Sequence, residues 1–217
     1  MQRLLEGYSR FRNEVFPHHS SLFQQLAQGQ KPEIALITCS DSRVMPEMIF
    51  QCEPGQIFPI RNAGNLVPPP TESQSGVAAS VEYAVRALQV ADIVVVGHSG
   101  CGAMKEILER AHVKDLPLVH SWLHHAGPSA KWLSALFQDA GISDEKKLSL
   151  LTQANVMTQL GHLAQHASVA EGILKGTLRL HGWVYDIATG EILALDNESG
   201  SFGPLALDLH QNELKIA

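Results

Sequence analysis

Apolar residues recur every three or four positions at the start of the chain, at Leu4, Leu5, Tyr8, Phe11, Val15 and Phe16, which predicts an amphipathic helix. Ser20 or Ser21 then stands where a cap is needed for a second helix through Leu22, Phe23 and Leu26. Pro32 closes this region, a helical arm over residues 1–30, and the pattern changes. Ile34-Ala35-Leu36-Ile37-Thr38 is a short, partly β-branched apolar run of the kind a strand covered on both faces requires, and it ends on Cys39. A second strand around Ile57 to Ile60 leads into Arg61-Asn62-Ala63-Gly64-Asn65, and Pro68-Pro69-Pro70 marks an irregular connection. Val77, Val81, Ala84, Val85 and Leu88 fall on one face of a helix.

Ile93-Val94-Val95-Val96-Gly97 is the clearest buried strand, with His98-Ser99-Gly100-Cys101 as the turn into a helical pattern that begins near Gly102. Helical stretches are predicted near Ser121 to Ala126 and from about Asp144 to Ala167, then strands over Leu178 to Tyr185 and Glu191 to Leu195 around Thr189-Gly190. Strands alternating with helices predict an α/β fold: a mostly parallel central sheet covered by helices, with an antiparallel edge from the final hairpin. The length, 217 residues, suits one domain spanning 1–217. The amphipathic arm lies outside the alternating unit, so its apolar faces are expected to pack on a partner subunit.

Charge narrows the function. A formal net charge of −6, with 16 scattered Lys and Arg residues, leaves no basic stripe for a phosphate backbone, so nucleic acid is not an expected partner. No apolar run approaches the roughly 20 residues that span a bilayer, and the N-terminus lacks a signal-peptide core, so no membrane association and a cytoplasmic location are expected. The 3 cysteines cannot all pair with one another, which favours reduced thiols available to a metal. Cys52 has no partner motif and reads as a structural cysteine.

In a parallel sheet, ligands gather beyond the carboxyl ends of strands, where Cys39 and His98 both fall. Cys39 brings a thiolate from one strand end; His98 and Cys101, three residues apart in a tight turn, bring an imidazole and a second thiolate from another. Taken singly, each reads as an ordinary buried residue, but together they form a sulfur, nitrogen and sulfur ligand set. Three protein ligands on tetrahedral Zn2+ leave one position for water or substrate, the mark of a catalytic site. Asp41 and Arg43 follow Cys39 at alternate positions and project to one side if the chain stays extended. Such a carboxylate accepts the hydrogen bond of a metal-bound hydroxide, and a bidentate arginine holds it off the metal. Both resting states of Asp41, paired with Arg43 or bound to metal, are compatible with the pattern. Two thiolates cancel the charge of the zinc dication, so activity is expected to rise towards alkaline pH.

Cys39-Ser40-Asp41-Ser42-Arg43 with His98-Ser99-Gly100-Cys101-Gly102 resembles the beta class of carbonic anhydrases, in its bacterial and plant-type branch. The likeness extends to Glu53-Pro54-Gly55, Arg61-Asn62-Ala63-Gly64-Asn65, Ser80-Val81-Glu82-Tyr83-Ala84-Val85 and His181-Gly182-Trp183-Val184-Tyr185-Asp186. It implies reversible hydration of CO2 to bicarbonate, with one zinc per subunit on Cys39, His98 and Cys101 and a catalytic pair in Asp41 and Arg43. It also implies substrate contacts: Gln30 reaching a neighbouring subunit's site, the Gly102 amide, and Phe58 and Tyr83 as walls of the CO2 pocket. A homodimer or dimer of dimers, embraced by the N-terminal helices, is implied as well. Some members of the class bind inhibitory bicarbonate through a tryptophan, an arginine and a tyrosine, with glycine just before the first zinc cysteine. Arg61 and Tyr185 are present here, but Leu36 and Thr38 stand at the tryptophan and glycine positions, which implies a non-allosteric enzyme. A zinc hydrolase of carbon disulfide or carbonyl sulfide would use the same site; a purely structural zinc would not require Asp41 and Arg43.

Overall fold

A computed structural model of the chain describes residues 1–72, 75–109, 115–127 and 141–206. Among them, six strands form one sheet in the order β2-β1-β3-β4-β5-β6. β1 (Ile34–Cys39), β2 (Ile57–Asn62), β3 (Asp92–His98) and β4 (Arg179–Tyr185) run parallel; β5 (Ile192–Asp196) and β6 (Ser201–Pro204) close one edge antiparallel. The predicted class therefore holds, with one more antiparallel strand than expected. β6 escapes a sequence reading because Ser201-Phe202-Gly203-Pro204 holds a single large apolar residue and shows no alternation.

The arm comprises α1 (Gln2–Arg10), a π-helical segment over Phe11–Val15, a 3-10 segment over Phe16–His19 and α2 (Ser20–Leu26). Pro17 accounts for the irregular middle, since it has no N–H to donate and its ring crowds the carbonyl four residues back. Phe11, Phe16 and Phe23 close the bend, with ring centroids 5.3 to 6.0 Å apart. None of the α1 residues is buried; Leu4 is 72% and Tyr8 63% exposed.

Between the strands lie a single turn, α3 (Pro46–Ile49), then α4 (Gly76–Arg86), α5 (Gly102–Glu109), α6 (Pro117–Leu123), α7 (Asp144–Gln165) and α8 (Ala167–Leu174). Ser75 caps α4 by accepting the Ala78 amide at 3.1 Å, and Ser143 caps α7 through Lys146 at 3.3 Å. α6 starts at Pro117 instead of near Ser121, with proline in the first turn where no N–H is needed.

The main core lies on one face of the sheet, where Ala35, Ile37, Ile93 and Val95 meet Val77, Val81 and Ala84 of α4, Val156 and Leu163 of α7, and Val169 of α8. Two bare positions set how closely α7 approaches. A Cβ on Gly182 would lie 2.8 Å from Val156 and one on Gly97 3.0 Å from Thr152, so the missing side chains let the helix seat on β3 and β4. The opposite face carries a smaller cluster around Leu36, Val94 and Val96, with Phe50, Trp183 and Tyr185 packed against it.

Candidate metal centre

Cys39 and His98 are the last residues of β1 and β3. Those strands are adjacent and pair Thr38 with Val96, so their carboxyl ends emerge side by side. Gly100 takes a positive φ of 61°, a conformation glycine adopts at no steric cost, and this turns the chain back so that Cys101 heads α5. The amides of Ala103 and Met104 point at the Cys101 sulfur, as donors do at a helix start. Ser99 anchors the turn to β4, donating its amide to the Tyr185 carbonyl and accepting the Ile187 amide on Oγ, both at 2.9 Å.

The donor atoms of Cys39, His98 and Cys101 lie within 4.8 Å of one another, and all three residues are buried. His98 Nδ1 contacts the Ser99 carbonyl at 3.0 Å. A carbonyl only accepts, so the proton sits on Nδ1 and the lone pair of Nε2 faces the two sulfurs. Nε2 has no hydrogen-bond partner although the side chain is fully buried. An unsatisfied buried nitrogen costs about 1–3 kcal/mol, and here it faces two thiols, so the donor set fits a metal ion better than a packed core.

The two thiols are hydrogen-bonded to each other. The hydrogen bond between them drives Cys39 towards thiolate and pushes Cys101 the other way, the latter also through burial. Cys39 Sγ further accepts the Gly64 amide at 3.4 Å. Arg61 braces the loop that follows: its guanidinium donates to the carbonyls of Cys39, Asp41 and Val44 at 3.1, 3.1 and 2.7 Å.

Asp41 and Arg43 do project together. Arg43 donates from Nε to Oδ1 at 2.9 Å and from Nη2 to Oδ2 at 2.7 Å, and Nη2 also reaches the Gly100 carbonyl at 3.0 Å. This fork holds the Asp41 carboxyl well below the usual carboxylate range. Oδ2 stands 3.9 Å from His98 Nε2, at the mouth of the cluster. In this structure Asp41 is therefore paired with Arg43.

Of the predicted substrate contacts, only Gly102, the first residue of α5, adjoins this cluster. Phe58 pairs with Ala35, four positions before Cys39, which is roughly 13 Å along the strand at about 3.3 Å per residue. Tyr83 packs on Phe58, with ring centroids 6.0 Å apart. Gln30 precedes β1 and, with Leu26, Ala27, Gln28, Gly29 and Gly55, lines an open hollow of about 460 Å3. These three residues thus gather at the amino ends of the strands, away from their own chain's cysteines. Cys52 also lies apart, half-buried, its thiol donating to the Phe50 carbonyl at 3.7 Å.

Residues 34–192 match the carbonic anhydrase family model. A carbonic anhydrase of Pseudomonas aeruginosa is 48% identical over 206 residues, covering 95% of this chain and 92% of that protein. The beta-carbonic anhydrase CcaA superposes with a TM-score of 0.91 at 40% identity, over 95% of this chain and 92% of that one. The chain belongs to the beta class of carbonic anhydrases.

As a β-carbonic anhydrase it is a zinc enzyme of the CO2-hydrating family, and Cys39, His98 and Cys101 are placed to bind the ion. A beta-carbonic anhydrase from Sordaria macrospora described as tetrameric is 31% identical, with a TM-score of 0.74 over 94% of this chain and 95% of that one. Sequence reasoning overlooked the braces. Arg61 and Gly64 belong to a segment marked only by its resemblance, and Trp122, which donates to the Ala63 carbonyl at 2.8 Å, carries no motif. Beyond that resemblance the signal was composition: a cation and a glycine beside a strand end.

The hydrogen-bonded thiol pair has a measurable consequence. Zinc requires both thiolates, and Cys101 is pushed towards the protonated form, so binding near neutral pH releases protons from the thiol pair and affinity rises with pH. Calorimetric titration of the metal-free protein in buffers of different ionisation enthalpy measures that release; binding with no proton released and an affinity independent of pH would refute the thiol ligation.

Proposed function

We propose that this β-carbonic anhydrase hydrates CO2 through a zinc-bound hydroxide, on one zinc per subunit held by Cys39, His98 and Cys101, with Asp41 and Arg43 as the catalytic pair. The observation that carries this reading is a three-donor cluster flanked by a carboxylate that is itself restrained. Zinc bound there supplies Lewis acidity, which lowers the pKa of a coordinated water and makes hydroxide available. Asp41, ionised and 3.9 Å from His98 Nε2, accepts a hydrogen bond from the nucleophile and aims a lone pair at the carbon. Arg43 occupies both carboxylate oxygens and so keeps Asp41 from becoming a fourth ligand. The Gly102 amide, at the start of α5, faces the developing negative charge. The net reaction balances as CO2 and water giving bicarbonate and a proton.

Gln30, Phe58 and Tyr83 act on the partner subunit's zinc. Support comes from the β1–β2 register, which leaves Phe58 about 13 Å from its own Cys39, and from the exposed apolar residues of α1, an arm suited to clasp a second copy. The assembly is a homodimer or dimer of dimers built from one domain per chain, 1–217. No helix among the described residues is long and apolar enough to cross a membrane. The enzyme is of the non-allosteric type. Leu36 and Thr38 replace the tryptophan and glycine of a bicarbonate site, and Arg61 is committed to three backbone carbonyls. Bicarbonate at constant pH should therefore give no cooperative inhibition in rate measurements.

Asp41→Asn should keep its zinc and lose about 10²-fold or more in kcat, read by stopped-flow CO2 hydration beside metal analysis. Wild-type rates in the same assay should rise towards alkaline pH. Full turnover in the zinc-loaded variant would remove Asp41 from the mechanism. For the shared pocket, Asp41→Asn subunits mixed with Gln30→Ala subunits should regain activity, because a hybrid dimer restores one intact site. Hybrids as inactive as the parents would place Gln30 in its own chain's site.

A further inference from the structure

The Gly64 amide that reaches Cys39 belongs to the same peptide unit as the Ala63 carbonyl. In a trans peptide these two groups point in opposite directions, and all peptide bonds among the described residues are trans. The carbonyl side of this unit receives the Trp122 indole Nε1–H at 2.8 Å; the amide side donates to Cys39 Sγ at 3.4 Å. A donor on the carbonyl pulls electron density out of the amide and makes its N–H a better donor, an effect of roughly 10–30% per bond in such chains. The path from indole to sulfur thus crosses one polarised peptide.

Both ends of this path are held. Trp122 packs against the main core and against the cluster that contains Cys39 and Cys101, and its ring meets His125 edge-on at 5.1 Å. Gly64 takes a positive φ of 80°, and a Cβ there would lie 3.0 Å from Ala103 on the helix that Cys101 heads. On the far side, α7 fixes the same segment: Asn155 donates to the Gly64 carbonyl at 3.1 Å, and Gln159 accepts the Val67 amide at 2.8 Å while donating to Asn155 at 2.9 Å. The segment therefore cannot pivot to lengthen one bond when the other is lost, and electronic strengthening passes to the sulfur.

We propose that Trp122 is a positioning residue of the zinc centre, which strengthens the Gly64 amide bond to the Cys39 sulfur through the Ala63–Gly64 peptide and thereby tempers that thiolate's donation to the metal. The inference rests on the reading of Cys39 as a zinc ligand. The test uses the cobalt(II)-substituted full-length protein, whose sulfur-to-cobalt charge-transfer absorption reports the energy of the thiolate lone pairs. Two changes remove the indole N–H: Trp122→Phe, and benzothienylalanine at position 122, which keeps the bicyclic ring and puts sulfur in place of nitrogen. Both should move the charge-transfer band to longer wavelength, since a less hydrogen-bonded thiolate releases electrons at lower energy. An unmoved band in the benzothienylalanine protein overturns the proposal, including the case where only Trp122→Phe shifts it, which would assign the effect to ring packing. The wild-type band itself reports cysteine ligation, so its absence would refute the ligand assignment, whereas failure of the relay leaves that band in place.

Discussion

The parallel pairing of β1 with β3 is the constraint on which the site depends. Their register runs from Ile34 opposite Asp92 to Thr38 opposite Val96, and it sets Cys39, one residue further on β1, and His98, two residues further on β3, at one rim of the sheet. A slip by one residue would turn Cys39 to the other face and dismantle the ligand set. The register is held by burial on both faces of β1, where Ala35 and Ile37 enter one core and Leu36 the other. Gly97 and Gly182 add to it by admitting α7 close to the strands, and α7 in turn secures the Gly64 to Pro68 segment against the metal centre through Asn155, Gln159, His162 and His166.

Around that rim the polar groups are restrained in layers. Arg61 gathers the carbonyls of Cys39, Asp41 and Val44, which curls the chain so that Asp41 and Arg43 meet in a bidentate pair above the sulfurs. Among the described residues, three buried side-chain atoms lack a hydrogen-bond partner, Thr38 Oγ1, Asn65 Nδ2 and His98 Nε2, and of these the imidazole nitrogen faces the two sulfurs. Its desolvation is offset when a metal binds, which is how a core able to exclude water carries an imidazole facing two thiols.

The same geometry separates the zinc ligands from the proposed substrate contacts. A parallel strand has two ends, and this sheet puts zinc ligands at the carboxyl ends while Gln30 and the Phe58–Tyr83 pair sit at the amino ends of β1 and β2. No bending of a rigid, doubly covered strand brings them together within one chain. On the proposed reading a second copy supplies them, and the exposed apolar residues of the arm are the surface that would hold it.

Much of this was legible before any coordinates. Buried parallel strands announce themselves as unbroken apolar runs, so Ile34 to Thr38 and Ile93 to Gly97 were readable with their ends, and the thiolates, imidazole and carboxylate at those ends define zinc chemistry by residue type alone. β6 was not readable, because four residues with one large apolar side chain carry no period. Nor were the resting partner of Asp41, the three-carbonyl grip of Arg61 or the reach of Trp122 to Ala63. Local sequence determines which donors and acceptors exist and which short segments carry them. Which of them meet is decided by strand register and helix seating, over separations such as the 59 positions between Ala63 and Trp122, and pattern along the chain holds no record of contacts made at that range.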